Sequence, residues 1–340
     1  MISWERLPQT YKPEEWDRLL LESHDHTVFQ SYGWGEYRRT FGWLPVRWIA
    51  RNKSGAVLAM AQILIKKLPL GLSLCWCPGG PILTFPETSN RDVALIIELL
   101  LRRIKALKRA YIRFNSYLPH DTSLAYAFSR SCVRPVVSLT TGYSLVLNLE
   151  KPFSLLVEEM KARHRAYVRK SMSHEIECRA GRDATFVQEF VSLHNEMTTR
   201  KGLAIHRTTV PEISALCRHL GEQAMIFTGY LNGEALSSYL ILSFGGKAFY
   251  LKAAAGDKGR KIRASYAVFV KLLEYLQNQG LIYFDLGGMD AQTPAAEGVN
   301  RFKRGFGGEL VEYLGEWEWA SAKWLRWATN FAICYRGKRL

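Results

Sequence analysis

The sequence predicts an α+β fold made of two copies of one unit, each running strand–strand–strand–helix–strand. Three observations predict it. Two β-rich stretches, 46–67 and 224–244, each fold back on a tight turn. Each is followed by a third strand, a long amphipathic helix and a further strand. The two series, 46–115 and 224–288, match in order and spacing although their residues do not.

In chain order, PEEWDRLLLE (13–22) reads as an amphipathic helix opened by Pro13, a favourable first-turn residue. SYGWGEYRRTFGW (31–43) reads as a short helix between glycines. VRWIAR (46–51) and AVLAMAQILIKK (56–67) flank the turn Asn52-Lys53-Ser54-Gly55. LSLCWC (72–77) continues the sheet and stops at Pro78-Gly79-Gly80-Pro81. Residues 90–110 form a helix with Asn90 as its cap and a stripe of Val93, Ile96, Ile97, Leu100, Leu101, Ile104 and Leu107. YIRFN (111–115) is the next strand. In the second half, YSLVLNL (143–149) is a strand, a basic helix follows, and HEIECRA (174–180) is a strand. The helix 183–202 carries Phe186, Phe190, Leu193 and Met197 on one stripe. The hairpin 224–244 turns at Asn232-Gly233, and Gly245-Gly246 leads into the strand 247–255. The helix 264–280 stops at Gly280, and the strand 281–288 follows. This order is also that of the GNAT acyltransferase core, a likeness of fold that by itself assigns no activity.

The chain has 340 residues, room for two to three domains at ~100–200 residues each. Its composition, 48% hydrophobic and 23% charged, excludes disordered and low-complexity classes. Forty-six basic against thirty-one acidic side chains give a net charge of +15, which suits a polyanionic partner: nucleic acid, an anionic membrane or a phosphorylated substrate. The six cysteines are scattered. Cys75 and Cys77 make no zinc site without a second pair, so the cysteines read as core thiols in a reducing cytosol. The N-terminal stretch lacks the apolar core of a signal peptide, and no run of ~20 apolar residues is free of charge.

Four segments carry more than fold: FQSYGWGEYRR (29–39), residues 160–181, residues 249–275, and residues 283–318 with Asp285-Leu286-Gly287-Gly288, Phe302-Lys303 and Phe306-Gly307. In order and spacing they resemble the FemABX family of peptidoglycan interpeptide-bridge aminoacyltransferases, over most of the chain. The resemblance implies two tandem GNAT-like domains, residues 1–145 and 146–317, with a C-terminal helix 318–340 returning to the first. The chain has no insert long enough for the coiled-coil arm of some members. It implies transfer of an amino acid from aminoacyl-tRNA to an amine on the stem peptide of a peptidoglycan precursor, soluble or lipid-linked. It also implies a cytoplasmic, monomeric enzyme that needs no metal or coenzyme, because the ester already stores the driving force.

The residues supply chemistry of that kind. Arg163, Arg165 and Arg169 lie on the basic helix, with Arg165 and Arg169 on one face, and arginine forks suit phosphate. Lys303 matches the family's charge-stabilising lysine; a fixed cation beside a tetrahedral oxyanion is worth roughly 3–4 kcal/mol. Arg301 and Arg304 beside it suit acceptor-stem phosphates. Asp285 ends a strand before Gly287 and Gly288, which allow close approach of a ligand, and it is a candidate general base. Tyr250 and Lys252, read as sharing one face of their strand, stand where the resemblance places contacts to the acceptor, with Lys252 in place of a second tyrosine. Glu36 falls where the resemblance places a phosphate-binding lysine of armless members; either Arg38 takes over that contact or the acceptor's phosphates lie elsewhere. Asn115 replaces an acidic residue, so no general base is carried across to it. In GRKIRASY (259–266) Arg263 occupies a position that a coenzyme A loop gives to glycine. The run 317–340 holds Trp317, Trp319, Trp324, Trp327, Phe331 and Tyr335 and ends in Arg336, Lys338 and Arg339, a pattern suited to peripheral contact with the inner face of a membrane. Two other readings keep the fold: an acyltransferase acting on another small acceptor such as a natural-product scaffold, and a non-catalytic basic module that binds nucleic acid or membrane.

Overall fold

The computed structural model describes residues 2–86, 88–202, 207–290 and 296–335. Its elements run β1 (Ser3–Arg6), α1 (Pro13–Leu21), α2 (Tyr32–Arg39), β2 (Leu44–Arg51), β3 (Val57–Lys67), β4 (Leu72–Pro78), α3 (Asn90–Lys105), β5 (Arg109–Pro119) and α4 (Thr122–Ser129). They continue with β6 (Tyr143–Asn148), α5 (Phe153–Glu158), α6 (Ala162–Met172), β7 (Glu177–Gly181), α7 (Ala184–Arg200), α8 (Val210–Leu220), β8 (Ala224–Leu231), β9 (Glu234–Phe244) and β10 (Lys247–Ala255). The last are α9 (Asp257–Lys261), α10 (Ala264–Asn278), β11 (Tyr283–Gly288), α11 (Glu297–Arg304), β12 (Glu309–Ala320) and α12 (Lys323–Tyr335). The chain divides into two compact units, Met1–Gly142 with Glu312–Leu340, and Tyr143–Val311.

In the first unit the strands lie in the order β1-β2-β3-β4-β5-β12. All neighbours are antiparallel except β4 and β5, which run parallel from Leu72↔Arg109 to Pro78↔Asn115 and are joined through α3. The expected stripe of α3 is the side that packs. Val93, Ile96, Ile97, Leu100, Leu101 and Ile104 are buried against Ala59, Ile63, Cys75, Ile112 and Phe114. The helix cap is Ser89 rather than Asn90, which is the first helical residue.

β12 corrects the reading of 318–340 as one helix. Residues 318–320 are strand, and the helix begins at Lys323. Glu316 and Glu318 are acidic and yet buried. They are buried because Arg113 of β5 lies across from them, its Nη1 donating to Glu316 Oε2 at 2.5 Å and its Nη2 to Glu318 Oε2 at 3.1 Å. Tyr111 Oη donates to Glu318 Oε2 at 2.7 Å and accepts from Arg113 Nε at 2.7 Å. Asn330 of α12 joins them, its Nδ2 donating to Glu318 Oε2 at 2.8 Å. Each buried charge therefore has a partner, which the desolvation cost demands.

In the second unit the order is β6-β11-β10-β9-β8-β7, again antiparallel except for one parallel pair, β10 and β11, joined through α10. The plan expected from sequence therefore appears in both units. The hairpin β8–β9 turns at Asn232 and Gly233, both at positive φ. α10 packs Ala264, Ala267, Val268, Leu272 and Leu276 into the core with Phe269, Phe284 and Phe306. The unit's longest helix, α7, has 17 residues, so the described residues include no extended helical arm. Four cysteines are buried, Cys178 is half-buried, and Cys334 on α12 is exposed, which departs from the expectation of core thiols throughout. Among the described residues no three His, Cys, Asp or Glu side chains converge as a metal site. No helix among them is long and apolar enough to cross a membrane.

Candidate active site

The second unit brings Asp285, Gly287, Gly288, Lys303 and Tyr250 together. β11 loses regular pairing at its end: its ladder with β6 shifts between Asp285 and Gly288. Gly287 turns the chain at φ +74, and a side chain there would meet the Tyr250 carbonyl at 3.3 Å. Asp285 Oδ1 accepts the Gly287 N–H at 2.7 Å and the Ser144 hydroxyl. The turn aims two carbonyls at α11. Lys303 Nζ donates to Gly287 O at 3.2 Å and Gly288 O at 2.9 Å. The ammonium also lies 5.5 Å from the Tyr250 ring centroid, within cation–π range. Lys303 is only 7% exposed. Burial lowers its pKa to about 8, and the Asp285 charge opposes that shift. Burial likewise pushes the Tyr250 phenol up.

Aromatic packing fixes Lys303 in place. Phe302 and Phe306 flank it in sequence, with ring centroids 4.9 Å apart, and Phe306 lies 4.1 Å from Phe269 of α10. His164 of α6 completes the cluster, 5.0 Å from Phe306 and 5.1 Å from Tyr266. Its Nε2 donates to Phe302 O at 3.1 Å. Gly305 makes this possible, because an added Cβ would lie 1.9 Å from the imidazole. Burial lowers the His164 pKa, with the Lys161 and Arg163 charges acting in the same sense. Sequence reasoning passed over His164 as one more residue in a basic helix; its lone place among cations beside the later FK and FG pairs was the available signal.

The arginines divide into different tasks. Arg165 turns inward. Its Nη1 donates to Glu158 O at 2.8 Å and to Met160 O, which occupies it with carbonyls that end α5 and so competes with the expected phosphate contact. Arg163 donates from Nε to the Tyr167 hydroxyl. Arg263, the residue before α10, adopts φ +60 and lays its guanidinium 3.6 Å from the centre of the Tyr167 ring. Tyr167 and Tyr266 are 5.0 Å apart, and the charges of Arg263, Arg163 and Arg301 all act on Tyr266. The Arg163 hydrogen bond lowers the Tyr167 pKa. Arg301 pairs with Glu297 on the exposed side of α11; Arg169 and Arg304 are exposed.

One expectation is corrected. Tyr250 and Lys252 do not share a face: a bulge pairs Tyr250 with Ile241 and Lys252 with Leu240, which turns the lysine to the other side of the sheet. There Lys252 Nζ meets Glu212 Oε1 of α8 at 3.2 Å. Arg38, in the first unit, has its guanidinium among the rings of Trp76, Trp43, Tyr37 and Phe41, 5.3 to 6.0 Å from their centres. Its neighbour Glu36 binds Arg39 Nε at 2.6 Å and Arg47 Nη2 at 3.0 Å. Gln30 of the same segment clamps the sheet, donating to Gln62 O at 3.1 Å and Pro78 O at 2.7 Å while accepting the Gln62 N–H at 2.7 Å. Arg336, Lys338 and Arg339 lie outside the described residues.

The fold has counterparts among known proteins. The chain folds like the tandem GNAT protein of the clavulanic acid biosynthesis pathway, with a TM-score of 0.54 and 11% identity over 95% of this chain and 99% of that one. It folds more closely like FemX, with a TM-score of 0.81 and 17% identity over 96% and 100% of the two chains. The model of the FemAB family matches residues 207–333. The chain is 22% identical over 322 residues to the UDP-N-acetylmuramoylpentapeptide-lysine N(6)-alanyltransferase of Weissella viridescens, covering 89% of this chain and 92% of that protein. It is 20% identical over 386 residues to the lipid II:glycine glycyltransferase of Staphylococcus haemolyticus, covering 90% and 91%. The chain is thus similar to the FemAB family over residues 207–333, and the two relatives extend that likeness over most of its length.

Proposed function

We propose that the protein is an aminoacyltransferase that moves an amino acid from aminoacyl-tRNA to an amine of the stem peptide of a peptidoglycan precursor. The observation that carries this reading is Lys303, a buried cation with its ammonium fixed beside a glycine turn. An ammonium has three N–H donors. Two are taken by Gly287 O and Gly288 O, and the third is available to a reacting oxygen. The acceptor amine attacks the ester carbonyl, the carbonyl oxygen becomes an oxyanion, and Lys303 stabilises it. The intermediate collapses to an amide, breaking the bond between the acyl carbon and the ribose oxygen, and the proton lost by the attacking amine passes to that oxygen as tRNA leaves with a free hydroxyl. A fixed donor of this kind contributes about 10²–10³ in rate.

Asp285 acts through the turn that it braces and through its charge on Lys303, a positioning role for a carboxylate already committed to Gly287 and Ser144. Gly287, Gly288 and Tyr250 form the wall next to the reacting atoms. Arg163, Arg263 and Arg301 around Tyr167 and Tyr266 suit phosphates of the donor, with Arg169 and Arg304 as outlying cations. The donor and the precursor meet in the cytoplasm, where we place the enzyme as a monomer. The named activities of the two relatives support this reading. The test is direct. Purified protein is mixed with radiolabelled aminoacyl-tRNAs and either lipid II or UDP-MurNAc-pentapeptide. Labelled precursor is expected, and its absence with every donor overturns the proposal.

A further inference from the structure

We infer that α12 and the β3–β4 turn dock the protein on an anionic lipid surface. α12 has two opposed sides. Leu325, Asn330 and Ile333 are buried. Trp324, Trp327, Phe331 and Tyr335 follow one another at helical spacing along the other side, 57%, 60%, 74% and 86% exposed. Water is a poor environment for four such side chains in a row. The boundary of a bilayer suits them, since indole and phenol rings place an apolar body in the acyl region and a polar edge among headgroups.

The neighbouring turn extends the surface. Leu70, 82% exposed at the tip of the β3–β4 turn, presents a further apolar side chain to solvent. It is tied to the start of β5 by Arg109 Nη1, which donates to Leu70 O at 2.9 Å. The start of β5 is in turn tied to the approach to α12, where Ala110 N–H donates to Ser321 Oγ at 3.1 Å. Charge chooses the partner. The stretches 64–73, 99–111 and 319–335 contain no aspartate or glutamate, yet include Lys66, Lys67, Lys105, Lys108, Arg109, Lys323 and Arg326. A protein partner would need an acidic, apolar groove. An anionic bilayer supplies both properties without a matched shape. Binding to lipid stands apart from the proposed reaction. Its consequence rests on that reading: the preferred acceptor is lipid-linked, presented at the surface where the enzyme sits.

The experiment is co-sedimentation of the full chain with phosphatidylcholine–phosphatidylglycerol vesicles. The wild type is expected to partition onto them and to leave as salt rises. The triple variant Trp324→Ala, Trp327→Ala, Phe331→Ala is expected to lose at least about tenfold in partition with unchanged circular dichroism. Leu70→Glu, on a separate element, is expected to weaken binding in the same direction. The proposal is overturned if the wild type stays in the supernatant or if the triple variant binds equally. Equal partition onto pure phosphatidylcholine overturns its anionic part. A dimer in sedimentation velocity that the triple variant dissolves also overturns it, by assigning the stripe to a second copy of the chain. In a parallel assay the triple variant is expected to slow transfer to lipid II in vesicles and to leave transfer to the soluble precursor unchanged. Unequal binding without that difference removes the acceptor preference alone. Loss of transfer with every acceptor already in the wild type removes the reaction and leaves the docking result standing.

Discussion

Lys303 is charged at neutral pH in a place where burial opposes charge, and its titration is the most direct handle on its role. With a pKa of about 8 the ammonium predominates at pH 7 and is lost above it. Oxyanion stabilisation should fail with it, so kcat is expected to fall as pH rises through about 8, and a pH–rate profile checks this. Lys303→Ala should lower kcat by about 10²–10³, remove that descending limb and leave the fold intact by circular dichroism. The sign for stability is opposite. The folded chain releases this proton near 8 and the unfolded chain near the ordinary 10.5, so the unfolded state binds more protons between them. Stability contributed through this group therefore rises with pH across that window, by on the order of 3 kcal/mol, and is flat below it. Denaturant midpoints of wild type and Lys303→Met, compared from pH 7 to about 10, should diverge accordingly. Asp285, the two glycines and Lys303 were legible in sequence as a linked set. The division of labour among the arginines was not, because whether a guanidinium faces solvent or a helix-ending carbonyl, as Arg165 does, depends on the path of α5.

At the scale of elements, α6 and α11 are clasped where a glycine meets a histidine. Lys161 N–H donates to Gly305 O at 2.9 Å, and His164 occupies the space a side chain at 305 would need. Gly305→Ala is expected to force the two helices apart, costing about 1–3 kcal/mol as overpacking, and to slow transfer by displacing Lys303 two residues away. Thermal melts with parallel kinetics check both; a variant with wild-type melting and wild-type rate would show that the clasp is loose. In the first unit, Glu318→Gln should cost about 3–5 kcal/mol, because Arg113 is fully buried and loses a charged partner. Urea unfolding measures it. The long amphipathic helices and hairpins were readable because their burial follows a simple period. β12 was not, although EWEWA alternates as a strand does. Its glutamates point inward to an arginine on a strand some two hundred residues earlier, and no local pattern announces that pairing. The bulge in β10 escaped for a similar reason: it is defined by register with β9, not by any residue of β10 alone.

For the molecule as a whole, the charge of +15 bears on kinetics more than on fold. Each cation that touches a nucleic acid phosphate releases condensed counterions, so binding weakens linearly in log salt with a slope near 0.7–0.9 per phosphate contacted. If exposed Arg163 and Arg301 with half-buried Arg263 hold the donor, then KM for aminoacyl-tRNA should rise steeply between low and physiological salt. KM for a soluble precursor with two phosphates should change far less. Arg263→Gly sharpens the comparison. Glycine accepts φ +60 without the cost of about 1 kcal/mol that a side chain pays there, while the substitution removes the stack on Tyr167. The two effects on stability nearly cancel, so the melting temperature should stay within a few degrees. The donor slope should fall by about one phosphate equivalent, with the acceptor slope unmoved. Initial rates at several salt concentrations, with each substrate varied in turn, measure both slopes. Equal salt dependence for donor and acceptor would detach this arginine group from tRNA and return the charge of the chain to the membrane surface alone.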